Sequence, residues 1–333
     1  MNSRQRVRLA LNHQEPDRVP MDLGGTGVST IHLESYSRLL QFLELPPDGL
    51  ALMSDTFQTA EIADQVRERL GVDFVGLRPR TPRGWKNVVH SADSFSDEWG
   101  IRFQRSRDAS RAFFPSGHPL AHADVTAIQN YRLPDMGDLS RVEGLRDVAR
   151  KLHDETDYAI IADGMWSLLQ KAYDLRGMDS FLMDMLSDEI KARSLLDRLV
   201  DVTLVNMATF LKEVGDYVQV VTVADDLGIQ SGPIMSLAMY RDFLKPCHKA
   251  LVEEIRKYTD AKIMLHSDGS IYQFLEDLIQ AGFDIINPVQ ASAKNMDTRR
   301  LKREFGQALS FWGGVDKQDI LPHGTPADVE TEV

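Results

Sequence analysis

Leu265-His266-Ser267-Asp268-Gly269-Ser270 places an imidazole and a carboxylate two residues apart, directly after an apolar run. In extended backbone, residues i and i+2 point to the same side. His266 and Asp268 can therefore hold a divalent metal together, or act as a base and its orienter. Gly269 permits a turn and Ser270 can cap the next helix. The plainer reading of the pair is a hydrogen-bonded histidine and a helix-capping aspartate. Asp225 and Asp226 end another apolar run and are followed by Leu227-Gly228-Ile229-Gln230. Adjacent carboxylates repel unless one is protonated, metal-bound or paired with a donor. Asp225, Asp226 and Asp268 are thus candidate catalytic groups. Asp22, Trp166, Gln230, Asn287, Trp312 and Asp316 fall at or just beyond strand ends and are candidate substrate contacts. Trp312 serves equally well as core, the glycines beside it as a tight turn, and the corner that carries Trp166 as a plain helix cap. Cys247 lies beside His248 in a helical stretch with no electropositive context, so packing explains it.

These residues need elements to hold them. Short apolar runs predict strands at Val19–Leu23, Val72–Leu77, Tyr158–Ala162, Val218–Val223, Ala261–Leu265, Asp284–Pro288 and Leu309–Trp312. Amphipathic stretches predict helices over 30–44, 59–70, 139–155, 166–186, 189–214, 236–258, 270–282 and 295–305, with a short leading helix at Asn2–Arg8. Pro, Gly and aromatic residues alternate over 85–118, the pattern of a hairpin excursion. The β-then-α order implies parallel strands, in a doubly wound sheet or a (β/α)₈ barrel. No strand is followed by a Gly-rich dinucleotide fingerprint, and polar residues gather at C-terminal strand ends, both of which favour the barrel. Seven strands are predicted, and the eighth is expected beyond Val333. No linker divides the chain, so residues 1–333 read as one barrel domain.

The 333 residues carry a net charge of −12, with 43% hydrophobic and 26% charged residues. That balance excludes wholesale disorder and argues against a nucleic-acid or anionic-membrane surface. It leaves room for a small-molecule substrate. One cysteine allows neither an internal disulfide nor a thiolate-rich metal site. With no leader or spanning segment visible, a cytoplasmic protein is expected.

The ordered set Arg18-Val19-Pro20, Asp97-Glu98-Trp99-Gly100, Asp225-Asp226-Leu227-Gly228 with Gly232-Pro233, His266-Ser267-Asp268-Gly269 and Gly313-Gly314-Val315-Asp316 resembles the uroporphyrinogen decarboxylase superfamily. The resemblance covers essentially the whole chain. It implies a (β/α)₈ barrel whose cleft lies at the C-terminal strand ends, and a homodimer. Two activities follow from it. Cofactor-free decarboxylation implies an N-terminal arginine motif after the first strand, where this chain reads Met21-Asp22-Leu23-Gly24-Gly25, and a catalytic aspartate, which Asp55 in Ser54-Asp55 resembles. Zinc-dependent methyl transfer between a corrinoid protein and a thiol implies a His-x-Cys ligand pair, where this chain has His266 and Asp268. The chain is most similar to divergent members near the methyltransferase branch. The expected function is therefore methyl transfer between a corrinoid protein, or a methylated small molecule, and an acceptor. That expectation places zinc at His266 and Asp268 and makes a corrinoid protein the partner. A decarboxylase without cofactor and a non-catalytic tetrapyrrole- or corrinoid-binding barrel are the alternatives.

Overall fold

The computed structural model describes residues 1–47, 50–108 and 110–332. Six parallel strands form its central sheet: β1 (Phe74–Leu77), β2 (Ala159–Trp166), β3 (Val220–Ala224), β4 (Lys262–His266), β5 (Ile285–Asn287) and β6 (Ser310–Phe311). They lie side by side in chain order, with helices in the connections, so the chain is an α/β protein. Alternation along the strands separates two apolar faces. Val75, Leu77, Ile160, Ala162, Val221, Val223, Ile263, Leu265 and Ile286 pack on the helices in the main core. Phe74, Ala159, Ile161, Val220, Met264 and Ile285 point the other way and meet Val7 and Leu11 of the N-terminal helix. Asp163, Thr222, His266 and Asn287 continue this second face toward the C-terminal strand ends. The sheet's period of two thus decides which polar residues meet.

Six of the seven predicted strands are present. The exception is Val19–Leu23, which is irregular because Pro20 has no N–H to contribute to a ladder. The segment still follows β1: Asp73 N donates to Met21 O at 2.8 Å, and Met21 N donates to Asp73 Oδ2 at 2.8 Å. A Cβ on Gly76 would stand 2.1 Å from Gly25 O, so only glycine allows this approach.

The helix over Glu189–Val214 has its predicted bounds. The predicted 166–186 helix is instead two, Leu169–Arg176 and Met178–Ser187, parted at Gly177 with φ 88°. Trp166 belongs to β2. The predicted 236–258 helix starts at Leu237–Met239 and passes through a π-turn at Tyr240–Leu244 before continuing as Lys245–Ile255, because Pro246 removes an amide from the ladder. Residues 85–118 supply four antiparallel strands, Val88–Ser91, Ser94–Ser96, Arg102–Arg105 and Phe113–Gly117. Among the described residues, no helix is long and apolar enough to cross a membrane.

The N-terminal helix, Ser3–Leu11, starts at a capping box between Asn2 and Gln5. It is tied down by buried Asp73, which accepts from Arg6 Nη1 at 2.6 Å and Arg18 Nη1 at 2.7 Å. Burial alone would raise the Asp73 pKa, but bonds from Met21 N, Ser3 and the two arginines outweigh it and hold the carboxyl low. Asp73→Asn is expected to cost roughly 2 kcal/mol in urea unfolding at neutral pH. A depressed carboxyl loses its contribution as pH falls through its folded pKa, so this gap should close in acid. A constant gap from pH 7 to pH 3 would contradict the assignment.

Candidate functional site

His266 closes β4 on the same face as Met264, and Asn287 closes β5 beside it. His266 Nδ1 and Asn287 Oδ1 are 2.7 Å apart, while Asn287 Nδ2 donates to Trp312 O at 3.3 Å. With the amide oriented by Trp312, Oδ1 must accept, so Nδ1 of His266 donates and Nε2 is the nitrogen left to meet a ligand. Asp226 follows β3 and Asp268 follows β4. One ligand atom from each of Asp226, His266 and Asp268 can be chosen so that all lie within 4.8 Å of one another.

The loops after β3 and β4 are laced together. Asp268 N donates to Asp226 Oδ1 at 2.8 Å, Leu227 N to Ser267 Oγ at 2.9 Å and Ser270 N to Ile229 O at 3.0 Å. Asp268 Oδ1 accepts from Gln290 Nε2 at 2.8 Å and Lys317 Nζ at 3.0 Å. Gln290 Oε1 in turn accepts from Gly269 N and from Gln230 Nε2, each at 2.8 Å. Burial raises the Asp226 carboxyl above its ordinary range, with the charges of Asp268 and Asp225 adding to the rise. The backbone bond from Asp268 and the His266 ring oppose it. A bound cation would relieve this strain of like charges.

Asp225 is not part of this cluster. Its buried carboxylate turns to the helix layer and accepts from Ser167 Oγ at 2.7 Å, Leu169 N at 2.7 Å and His248 Nε2 at 3.0 Å. The adjacent aspartates lessen their repulsion by facing apart, Asp225 capping the Leu169–Arg176 helix. Trp166 also faces the helices, with Nε1 donating to Asn206 Oδ1 at 2.7 Å and its ring edge-on to Phe210. Trp312 packs on the second face of the sheet, 4.5 Å from the Phe74 ring. Asp316 caps the turn at Gln318 and Asp319. Asp55 is exposed in the turn between strands Leu52–Ser54 and Thr59–Ala60, where its carbonyl, not its carboxylate, engages Gln58. Cys247 Sγ donates to Phe243 O, and burial pushes its thiol up to about 12, which keeps it protonated.

A second polar group stands at the ends of β1 and β2. Buried Asp163 accepts from Arg78 Nε at 2.7 Å, Gly27 N at 2.9 Å and Thr222 Oγ1 at 2.9 Å. Asp22 lies nearby, with Oδ1 accepting from Gly25 N at 2.9 Å and Oδ2 buried without a partner. Burial pushes its carboxyl up to about 6, and the Asp163 charge adds to the rise. A carboxyl whose folded pKa exceeds its unfolded one binds more protons when folded, so stability falls as pH climbs from about 4 to 6. Asp22→Asn should therefore be more stable than the parent by roughly 1–3 kcal/mol at pH 7.5 and equal to it near pH 4. Urea titrations at the two pH values decide this, and a parent more stable at pH 7.5 would refute it.

Arg78 and Lys317 are site residues that the sequence reading does not mark. Asp163 was legible in principle, since it shares the parity of Ile161 at a strand end. Lys317 carries no such signal.

The model of the uroporphyrinogen decarboxylase (URO-D) family matches residues 114–333. The chain belongs to this family. Among curated proteins it is similar to a methylated-thiol–coenzyme M methyltransferase of Methanosarcina mazei, 28% identical over 99 residues, or 30% of the chain. That match spans only 24% of the relative's length. A solved structure described as a methyltransferase from Methanosarcina mazei superposes with a TM-score of 0.63 at 20% identity, over 100% of this chain and 88% of that one. The family member and the M. mazei methyltransferase share a fold.

Proposed function

We propose that this family member is a single (β/α)₈-barrel methyltransferase that binds zinc and moves a methyl group from a corrinoid protein, or a methylated small molecule, to an acceptor. The observation that carries the reading is the convergence of Asp226, His266 and Asp268, with the His266 proton held on Nδ1 by Asn287. The donor set fits the ion: one imidazole nitrogen and two carboxylates are ordinary zinc ligands, and three protein ligands leave a position for a reactant. Bound there, zinc supplies Lewis acidity, which favours the thiolate form of a thiol.

The chain's own residues do the positioning. Asn287 fixes the His266 ring and its tautomer, and metal-binding histidines are oriented in this way by a partner on the second nitrogen. Gln290 holds one oxygen of Asp268 and leaves the other free. The Asp268 amide holds Asp226 Oδ1 in the same manner. Both carboxylates are thus oriented before any ligand arrives, which limits the ordering entropy lost on binding.

The experiment is metal analysis of the purified protein together with demethylation of methylcobalamin in the presence of a thiol, followed at the cobalamin absorption bands. Stoichiometric metal and metal-dependent methyl loss are the expected results. Protein without metal affinity and without methylcobalamin turnover would overturn the proposal. Turnover of a uroporphyrinogen by the metal-free protein would favour decarboxylation instead.

A further inference from the structure

We propose that Lys317 is a tethered counter-cation that competes with the divalent metal at Asp268 and so sets the affinity of the site. The inference rests on the metal-binding reading of the cluster. Its ground is the occupancy of Asp268, where the Lys317 ammonium stands 3.0 Å from Oδ1 beside the Gln290 amide. Two carboxylates within ligand distance of one another need positive charge nearby. In this structure the ammonium of Lys317 supplies it at Asp268. A divalent ion bound by Asp226, His266 and Asp268 would supply the charge itself and would repel an ammonium this close. Lys317 must then move away, or the ion binds against its field.

The placement of Lys317 leaves room for that movement. Lys317 follows Gly313 and Gly314, whose φ values of 100° and 138° belong to glycine alone. Its side chain is 47% exposed, so water can receive the ammonium when it leaves Asp268. Gln290, by contrast, is buried and bonded on both sides, to Gly269 N and to Asp268. The two groups on Asp268 Oδ1 therefore have different roles: Gln290 orients the carboxylate, and Lys317 neutralises it until the metal arrives.

The test is direct titration of the metal-free full chain with Co²⁺, read by its absorption bands, and with Zn²⁺ against a chromophoric chelator. Parent, Lys317→Ala, Lys317→Met and Lys317→Arg proteins are compared. Alanine and methionine are expected to tighten binding about tenfold, while arginine, which keeps the charge, should stay within about twofold of the parent. Unchanged or weaker binding in the alanine and methionine proteins would overturn the role of Lys317 and leave the metal site standing. Absence of binding in all four would overturn both.

Discussion

His266→Ala is expected to abolish stoichiometric zinc binding and to lower methyl transfer by at least about a thousandfold, or roughly 4 kcal/mol of transition-state stabilisation. The size follows from the donor count. Three candidate ligand groups converge, and His266 offers the only nitrogen among them. Two carboxylates alone form a weak, hard-oxygen site that suits Mg²⁺ or Ca²⁺ better than zinc. His266→Gln should rescue little, because an amide offers neither the geometry nor the basicity of the imidazole. Asn287→Leu tests the layer behind. It removes the acceptor at 2.7 Å from Nδ1 without touching a ligand, and should weaken zinc by about 10–100-fold. The pair of results is diagnostic. If His266→Ala retains parental metal affinity, the cluster is not the metal site. If Asn287→Leu is silent, the tautomer is set by something else.

How far the sequence anticipates this site depends on which physical rule places each residue. His266 and Asp268 were legible because they end an apolar run and lie two residues apart. The long helix Glu189–Val214 was legible for the same kind of reason, a period sustained over many turns. Asp225 and Asp226 could not be told apart by sequence. Strand parity sends neighbours to opposite faces without saying which face holds the helices; the structure puts Asp225 with Val221 and Val223 on the helix side, where Ser167, Leu169 and His248 meet it. Val19–Leu23 read as a strand from its apolar content, yet Pro20 denies it a regular ladder while its neighbours still follow β1. Trp166 reads as a candidate substrate contact from its place after a strand. The register irregularity between Ala162 and Trp166 turns it to the helices instead. Asp55 rested on a short motif alone, and the turn that carries it is exposed. Lys317 reaches Asp268 across 49 residues through a glycine-bent loop, a contact that no local period encodes.

Gly269→Ala is expected to destabilise the protein by roughly 3–5 kcal/mol and to disable the proposed metal site together with the fold around it. Two costs combine. At φ 83° the backbone of residue 269 is left-handed, which strains any residue with a Cβ by about 1–3 kcal/mol. The new Cβ would also stand 2.4 Å from Gly228 C and 2.6 Å from Ile229 N. Those are main-chain atoms, so relief requires the two loops to separate, and overpacking of this kind costs about another 1–3 kcal/mol. Separation breaks what holds the ligands. The bond from Ser270 N to Ile229 O and that from Asp268 N to Asp226 Oδ1 both cross this contact. Gly228→Ala meets the same wall from the other side, with Ser270 N at 2.7 Å, but without a left-handed φ. It should therefore cost less. Urea unfolding orders the two variants, and Co²⁺ titration of whatever folds reads the site. A Gly269→Ala protein with parental stability and parental metal affinity would mean that the loops are not clamped backbone to backbone, and that Asp226 and Asp268 owe their approach to something other than these glycines.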